Sequence, residues 1–397
     1  MNFERIPTHS SEEEHDVEKE PGFDAHFYVT DHSADRADTG SPKQLRELYE
    51  DIKKDGVESV RYDWRWRNIE SEPDTLNTES LERYGKAAEV MKEVGLEAPT
   101  IILSNPPEWA VKLYATDKEK FFDAFGEYAR SVAETLEKSD AKRVERVQIL
   151  NELNNKVYTP IEMEDLPRLC EVTRAAFKNY NPDTKLMATF VAGNLPNATA
   201  RFGTGTKIEE YLEKFEAIKD NFDVFAIDYY PGMWHLPFKE SEWKMNDMFK
   251  QMGMLKTVFE KVASWGKEYE LGEVGIQTNV PWKGEEGNDK RQRFFYDSFF
   301  RGFKQLMLDF REREIPLPSR IGLYEAMDEA PQSFMGKMLR KFTPFPEHDM
   351  GMRKATGERK SILQGKPHAE EEVRKKQPSQ LSRIISYVRA PMKKAEK

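Results

Sequence analysis

The strongest constraint on this chain is an alternation. Eight short apolar runs of strand character are separated by amphipathic stretches of helical period, and the pattern holds from residue 23 to residue 328. Strands are expected over 23–31, 57–64, 98–104, 144–152, 184–193, 222–230, 267–275 and 320–328. Helices are expected over 41–56, 78–95, 117–138, 164–180, 206–218, 243–265 and 288–314. The first helix is the best signalled, with Ser41 as cap, Pro42 at the first helical position and Gly56 to stop it. Strand–helix repetition returns each strand in the same direction, so the sheet is parallel, and eight units close into a barrel. An open doubly wound sheet is the competitor, but it typically carries a glycine-rich phosphate turn after its first strand, and HFYVTDHSAD has no glycine. The expected fold is α/β, a (β/α)8 TIM barrel forming one domain over 22–365. An acidic arm (1–21) precedes it and a basic tail or helix (366–397) follows.

Composition narrows the partners. With 24 Phe, 15 Tyr and 7 Trp in 397 residues, the chain has aromatics for a large core and for a groove besides. A net charge of −10 argues against a nucleic-acid partner, which favours clustered basic charge. The one cysteine, Cys170, excludes an intramolecular disulfide and reads as a small buried hydrophobe. The N-terminus is polar and acidic, without the basic start and apolar stretch of a signal peptide, so a cytoplasmic location is expected. No apolar run approaches the length of a membrane span. The tail sets nine Lys/Arg against four Glu, which reads as a solvated tail or a final helix capping the barrel, with an anionic-surface contact as the second reading. Oligomeric state stays open.

In a parallel barrel the βα loops converge at the C-terminal ends of the strands, and chemistry sits there. Strand four ends in Asn151-Glu152 and strand seven in Gly272-Glu273, roughly opposite each other across the mouth. Two facing carboxyl groups are what retaining glycoside hydrolysis requires: one donates a proton to the leaving oxygen while the other attacks the anomeric carbon.

Several ordered motifs carry a resemblance. VRYDWRWRNIESEP resembles the second βα unit of the clan A glycoside hydrolases, and SNPPEWA resembles the loop after their third strand. ILNELNN and ELGEVGIQT resemble the acid/base and nucleophile motifs, and HDMGMRKATGERKSIL the closing segment. The clan contains many β-glucosidases, β-xylosidases, β-mannanases and cellulases. The resemblance spans about residues 22–365. It implies Glu152 as proton donor and later base, Glu273 as nucleophile, and Asn151 on the sugar 2-hydroxyl. It also implies Arg61 beneath Glu273, holding it as a carboxylate, and Tyr230 donating to it, with Tyr229 as rival for that role. The substrate is a carbohydrate, and no metal or organic cofactor is expected.

The departures are as informative. Asp228 stands on strand six where many clan members place His or Asn, and strand eight reads LYEAMDEAP in place of the usual Trp floor. That run resembles the Glu-Ala-Phe-Asp-Glu segment of some β-1,3-glucanases, and it makes Glu325 a hydroxyl-binding candidate and the second choice for a catalytic carboxylate. Trp109, Trp234 and Trp282 follow strands and are candidates for sugar stacking, and His26 for a polar contact to sugar from strand one. Trp64 and Trp66 are expected to pack behind the site. Three rivals remain. A metal-dependent hydrolase usually needs clustered His ligands, and the seven histidines include no His-x-His. A non-catalytic sugar-binding barrel is disfavoured by the two glutamates, and a transglycosylase would use the same pair.

Overall fold

The computed structural model describes residues 23–35, 40–156, 158–192, 195–196, 205–206, 208–230, 245–276, 284–326, 352, 360 and 378–391, without the side chains of 195–196, 205–206, 245–251 and 284–291. Successive side chains on a strand face opposite sides, and β2, Ser59–Arg65, shows what that does here. Val60, Tyr62 and Trp64 join the main apolar core between sheet and helices. Ser59, Arg61, Asp63 and Arg65 take the other face and turn into the lumen.

Eight strands share this logic: β1 (His26–Asp31), β2, β3 (Thr100–Ser104), β4 (Arg146–Ile149), β5 (Lys185–Val191), β6 (Val224–Tyr229), β7 (Glu268–Val274) and β8 (Arg320–Leu323). Each pairs in parallel with the next, and β1 pairs with β8, so the barrel closes. Around it run α1 (Pro42–Lys54), α2 (Trp66–Ile69), α3 (Thr78–Glu93), α4 (Glu108–Thr116), α5 (Lys118–Lys138), α6 (Leu166–Phe177), α7 (Ile208–Ile218), α8 (Met245–Ala263) and α9 (Gly284–Glu312). The expected (β/α)8 barrel is therefore the fold.

Local chemistry sets these boundaries. In α1 the Ser41 side chain accepts from the Gln44 N–H, and Gly56 beyond the helix has φ of 96°, a conformation natural only to glycine. Leu45, Leu48, Tyr49 and Ile52 recur at helical spacing and are all buried, so replacing Leu45 with Ala would cost about 2–5 kcal/mol. Two helices escape the sequence reading, the single turn of α2 and the longer α4. SNPPEWA, expected as a loop, begins α4 at Glu108, because Pro107 supplies the extended entry residue. Asp117 then ends α4 and caps α5, accepting from the Lys120 N–H.

The lumen is layered. Near the N-terminal pole Arg146 pairs with Glu268 and, at 2.8 Å, with Glu270, while Lys185 pairs with Glu268 at 2.7 Å. The Tyr28 hydroxyl lies 2.8 Å from Glu270. Met187, Val224 and Ala226 form a small apolar plug of their own. Within the tail, α10 (Gln380–Arg389) buries Leu381, Ile384, Ile385 and Val388. It lies against the same pole, where Arg389 donates to the Ala25 carbonyl and to Glu58. No helix among the described residues is long and apolar enough to cross a membrane.

Candidate active site

Strand parity delivers the site residues to one end of the lumen. On β6, Val224 and Ala226 face inward, so Asp228 and Tyr230 continue that face, while Tyr229 turns outward and packs 5.9 Å from Phe299. On β7 simple alternation from Glu270 would send Glu273 outward. The ladder is irregular there: Ile227 pairs with Leu271 but Asp228 pairs with Glu273, so Gly272 is the extra residue. Such a bulge resets the facing of every residue after it. Gly272 also fits where no side chain would, because a Cβ there would lie 2.3 Å from Asp228 Oδ1.

Glu273 is held on both oxygens. Arg61 donates to Oε1 and Tyr230 to Oε2, and all three residues are buried. Arg61 is itself fixed: its Nε donates to Gln148 (2.7 Å), and its terminal nitrogens to Thr30 (3.1 Å) and Asn151 (3.1 Å). Gln148 in turn lies 3.0 Å from Asn151 Oδ1 and 2.9 Å from the Thr189 hydroxyl. The Asn151 carbonyl oxygen thus receives both neighbours, which leaves its NH2 group as the end that donates elsewhere.

Glu152 follows β4 in a turn that holds two left-handed residues, Leu150 (φ 56°) and Glu152 itself (φ 47°). Non-glycine residues in this region carry strain and cluster at functional sites. The turn is tied down by Thr189, which accepts from the Glu152 N–H (2.9 Å), and by Asn154, which brackets the Val191 backbone. Asn155 donates to Glu152 Oε2 at 2.6 Å. Oxygens of Glu152, Asp228 and Glu273 all lie within 4.8 Å of one another. Burial, then the charge of Glu273, pushes the Asp228 carboxyl well above the ordinary range, with Arg61 opposing.

A second cluster joins β1, β2 and β8 at the mouth. His32, one residue beyond β1, sets Nδ1 2.8 Å from Asp63 and Nε2 3.7 Å from Glu325. Burial opposes charge on this imidazole, but the hydrogen bond and charge of Asp63 outweigh it and push His32 up to about 10. Asp63, buried as well, is held well below the usual carboxylate range by His32, with Arg65 and Ser104 adding to the effect. Glu325 is wholly buried and turned to His32.

His26 requires a correction. It is the first residue of β1 and lies at the pole opposite the mouth, 2.7 Å from Ser59 and beside Arg320, Arg146 and Arg389. Although Glu58 (3.6 Å) and Glu97 (3.3 Å) are near, burial and those three guanidiniums push its imidazole down to about 3. The strand-one histidine at the mouth is His32, and the same end-of-strand rule that selects Glu152 would have found it. Trp109 stands in α4 with its indole N–H donating to the Glu70 carbonyl (3.1 Å) and its ring edge-on to Trp66 (5.4 Å), so it packs inward. Trp64 and Trp66 are fully buried. Trp234, Trp282 and most of 348–363 lie outside the described residues. Gln148, Thr189 and Asn155 were missed, because each acts through a neighbour brought close only by barrel closure.

Among the described residues, three groups have donors close enough for a cation: His26/Glu58/Glu97, His32/Asp35/Asp63 and Glu152/Asp228/Glu273. In each a guanidinium already supplies the positive charge, from Arg389 on Glu58, Arg65 on Asp35 and Arg61 on Glu273.

Comparison with known proteins agrees with the barrel fold. Residues 103–288 match the model of glycosyl hydrolase family 53, a stretch that contains Glu152, Asp228 and Glu273. No curated protein sequence matches the chain. An exo-β-1,4-mannosidase from Opitutaceae bacterium strain TAV5 is similar with TM-score 0.61 and 13% identity, over 92% of this chain and 59% of that one. This chain therefore spans less than two thirds of that mannosidase's length. GH5_18 from Streptomyces cattleya, in complex with GlcNAc, gives TM-score 0.60 at 12% identity over 93% and 82%. A family 1 β-glucosidase from Thermotoga maritima gives 0.56 at 14% over 85% and 93%. At such identities the structural likeness is one of fold. The family match carried on this barrel supports a clan A glycoside hydrolase. The matched model is that of a glycosidase family.

Proposed function

We propose that the chain hydrolyses a β-glycosidic bond of an oligosaccharide or glycoside with retention of anomeric configuration. The observation that carries this reading is the approach of Glu152 and Glu273 oxygens to within 4.8 Å. A retaining pair works at about 5–5.5 Å, because one carboxylate must reach the anomeric carbon itself, whereas an inverting pair stands about 6.5–9.5 Å apart to admit a water.

In this mechanism Glu273 forms a bond to the anomeric carbon as the bond to the leaving oxygen breaks, and Glu152 gives that oxygen its proton. Glu152, now a carboxylate, takes a proton from water as the water displaces Glu273. Arg61 and Tyr230 hold the Glu273 carboxylate in one orientation, so little geometry is left to be lost on attack. The Asn151 NH2 group is offered to the sugar 2-hydroxyl. The names of the solved relatives, a β-1,4-mannosidase and a β-glucosidase, favour a β-linked hexoside as substrate.

The test is Glu273→Ala, assayed on a panel of aryl glycosides and defined oligosaccharides, with proton NMR of the first product. Turnover should vanish in the variant, and the wild type should release the β-anomer first. Near-normal turnover would remove Glu273 from the role, and an α-anomer as first product would exclude retention.

A further inference from the structure

Asp228 is the group that the proposed chemistry leaves unused. It is wholly buried on β6, and neither carboxyl oxygen has a hydrogen-bond partner among the described residues. The site is nevertheless shaped around it, since Gly272 leaves the space that its Oδ1 fills. The charged and titratable groups facing it are Arg61 from β2, Tyr28 from β1, Glu270 and Glu273 from β7, Glu152 after β4 and Tyr230 after β6. The donors among them are committed. Arg61 serves Gln148, Thr30, Asn151 and Glu273, Tyr28 lies against Glu270 and the Gly272 carbonyl (2.7 Å), and Tyr230 serves Glu273. An ionised Asp228 would be a buried anion with no donor, beside three other carboxyl groups.

We propose that Asp228 keeps its proton through the whole catalytic cycle and acts as a positioning residue, turning its O–H toward whichever neighbour carries the negative charge. This rests on the roles proposed for Glu152 and Glu273. Before attack Glu273 is the anion and Glu152 holds a proton. After attack Glu273 is an ester and Glu152 the anion, its proton having left with the departing alcohol. The pair carries one negative charge in each state, so the charge moves from one side of Asp228 to the other while its total stays fixed. A neutral acid between them can follow that movement by rotation alone. A second charged carboxylate there would oppose proton release from Glu152 and crowd the nucleophile.

Infrared spectroscopy of enzyme labelled with carboxyl-13C aspartate reads this directly. Measured at about pH 8, above the value of about 6 to which burial raises Asp35, the wild type should show one protonated aspartic-acid carbonyl band that shifts with the label. The band should be absent in Asp228→Asn. That variant, which keeps a donor and cannot ionise, should hold kcat/KM within about threefold and leave both limbs of the pH profile in place. Asp228→Leu, of similar size without a donor, should lower kcat about tenfold or more at little changed KM. Absence of the band in wild type overturns the proposal even if no variant folds. So does an alkaline limb displaced by about one pH unit in Asp228→Asn, because that would mean a charged Asp228 in the working range. Should Glu273→Ala remain active, the catalytic reading fails, while the aspartic-acid band still reports the state of Asp228.

Discussion

The guanidinium of Arg61, on β2, and the carboxylate of Glu273, on β7, form an ion pair sealed inside the barrel. Removing one partner of such a pair leaves the other charge buried alone, which costs about 3–5 kcal/mol. Arg61→Met is therefore expected to destabilise the fold by that order in urea unfolding and to lower kcat by about a hundredfold or more. A variant that kept wild-type kcat on aryl glycosides would show that Arg61 serves the fold only.

Tyr229 and Tyr230 are adjacent but face opposite sides of β6, and this makes a sharp comparison. Tyr230→Phe removes the hydroxyl donated to Glu273 and should reduce kcat by about ten- to a hundredfold. Tyr229→Phe touches a hydroxyl that points toward the helix layer and should leave kcat within about twofold. Equal losses in the two variants would contradict the parity argument.

Glu152→Ala separates the two half-reactions. With an activated aryl leaving group the first step needs little proton donation, so a burst of aryl alcohol should precede slow turnover. Added azide, which needs no general base, should restore turnover and yield a glycosyl azide of retained configuration. Absence of any azide effect would argue against Glu152 as the acid/base.

The His32–Asp63 pair gives a pH dependence of stability. The folded protein holds the His32 proton up to about pH 10, whereas the unfolded chain releases it near 6.5. The folded state thus binds more protons between those values, so this contribution is complete below 6.5 and is lost as pH rises toward 10. Asp63 runs the other way: its contribution is complete above about 3.9 and falls away in acid. His32→Gln should flatten the decline of unfolding free energy between about pH 7 and 10. An unchanged slope would mean that other groups cause it.

Much of this was legible in the sequence, and the reasons differ by residue. The barrel is written in strand-and-helix periodicity, which every segment carries locally. Glu152 and Glu273 follow from the rule that chemistry gathers at strand ends, and Arg61 and Tyr230 from motif resemblance. Tyr230 over Tyr229 was also decidable, since counting by twos from Val224 reaches Asp228 and Tyr230. His26 went astray because a strand has two ends, and only His32 lies at the one that opens on the mouth. Glu273 would have been mis-faced by parity alone, as the bulge at Gly272 depends on contact with Asp228 and β8. Gln148, Asn155 and Thr189 carry no local signal, because their importance comes from contacts across neighbouring strands.

The seam between β1 and β8 aligns His26 with Arg320, residues separated by most of the chain. On the ribosome β1 emerges with one edge unpaired and waits for roughly three hundred further residues, on the order of fifteen to sixty seconds at ordinary rates of synthesis. An open edge is a template for pairing with other chains. Closure of this barrel therefore waits until β8 has been made, and the half-made molecule is its most vulnerable form. Substitutions that weaken β8 should reduce the yield of folded enzyme from a cell more than the specific activity of the molecules that close.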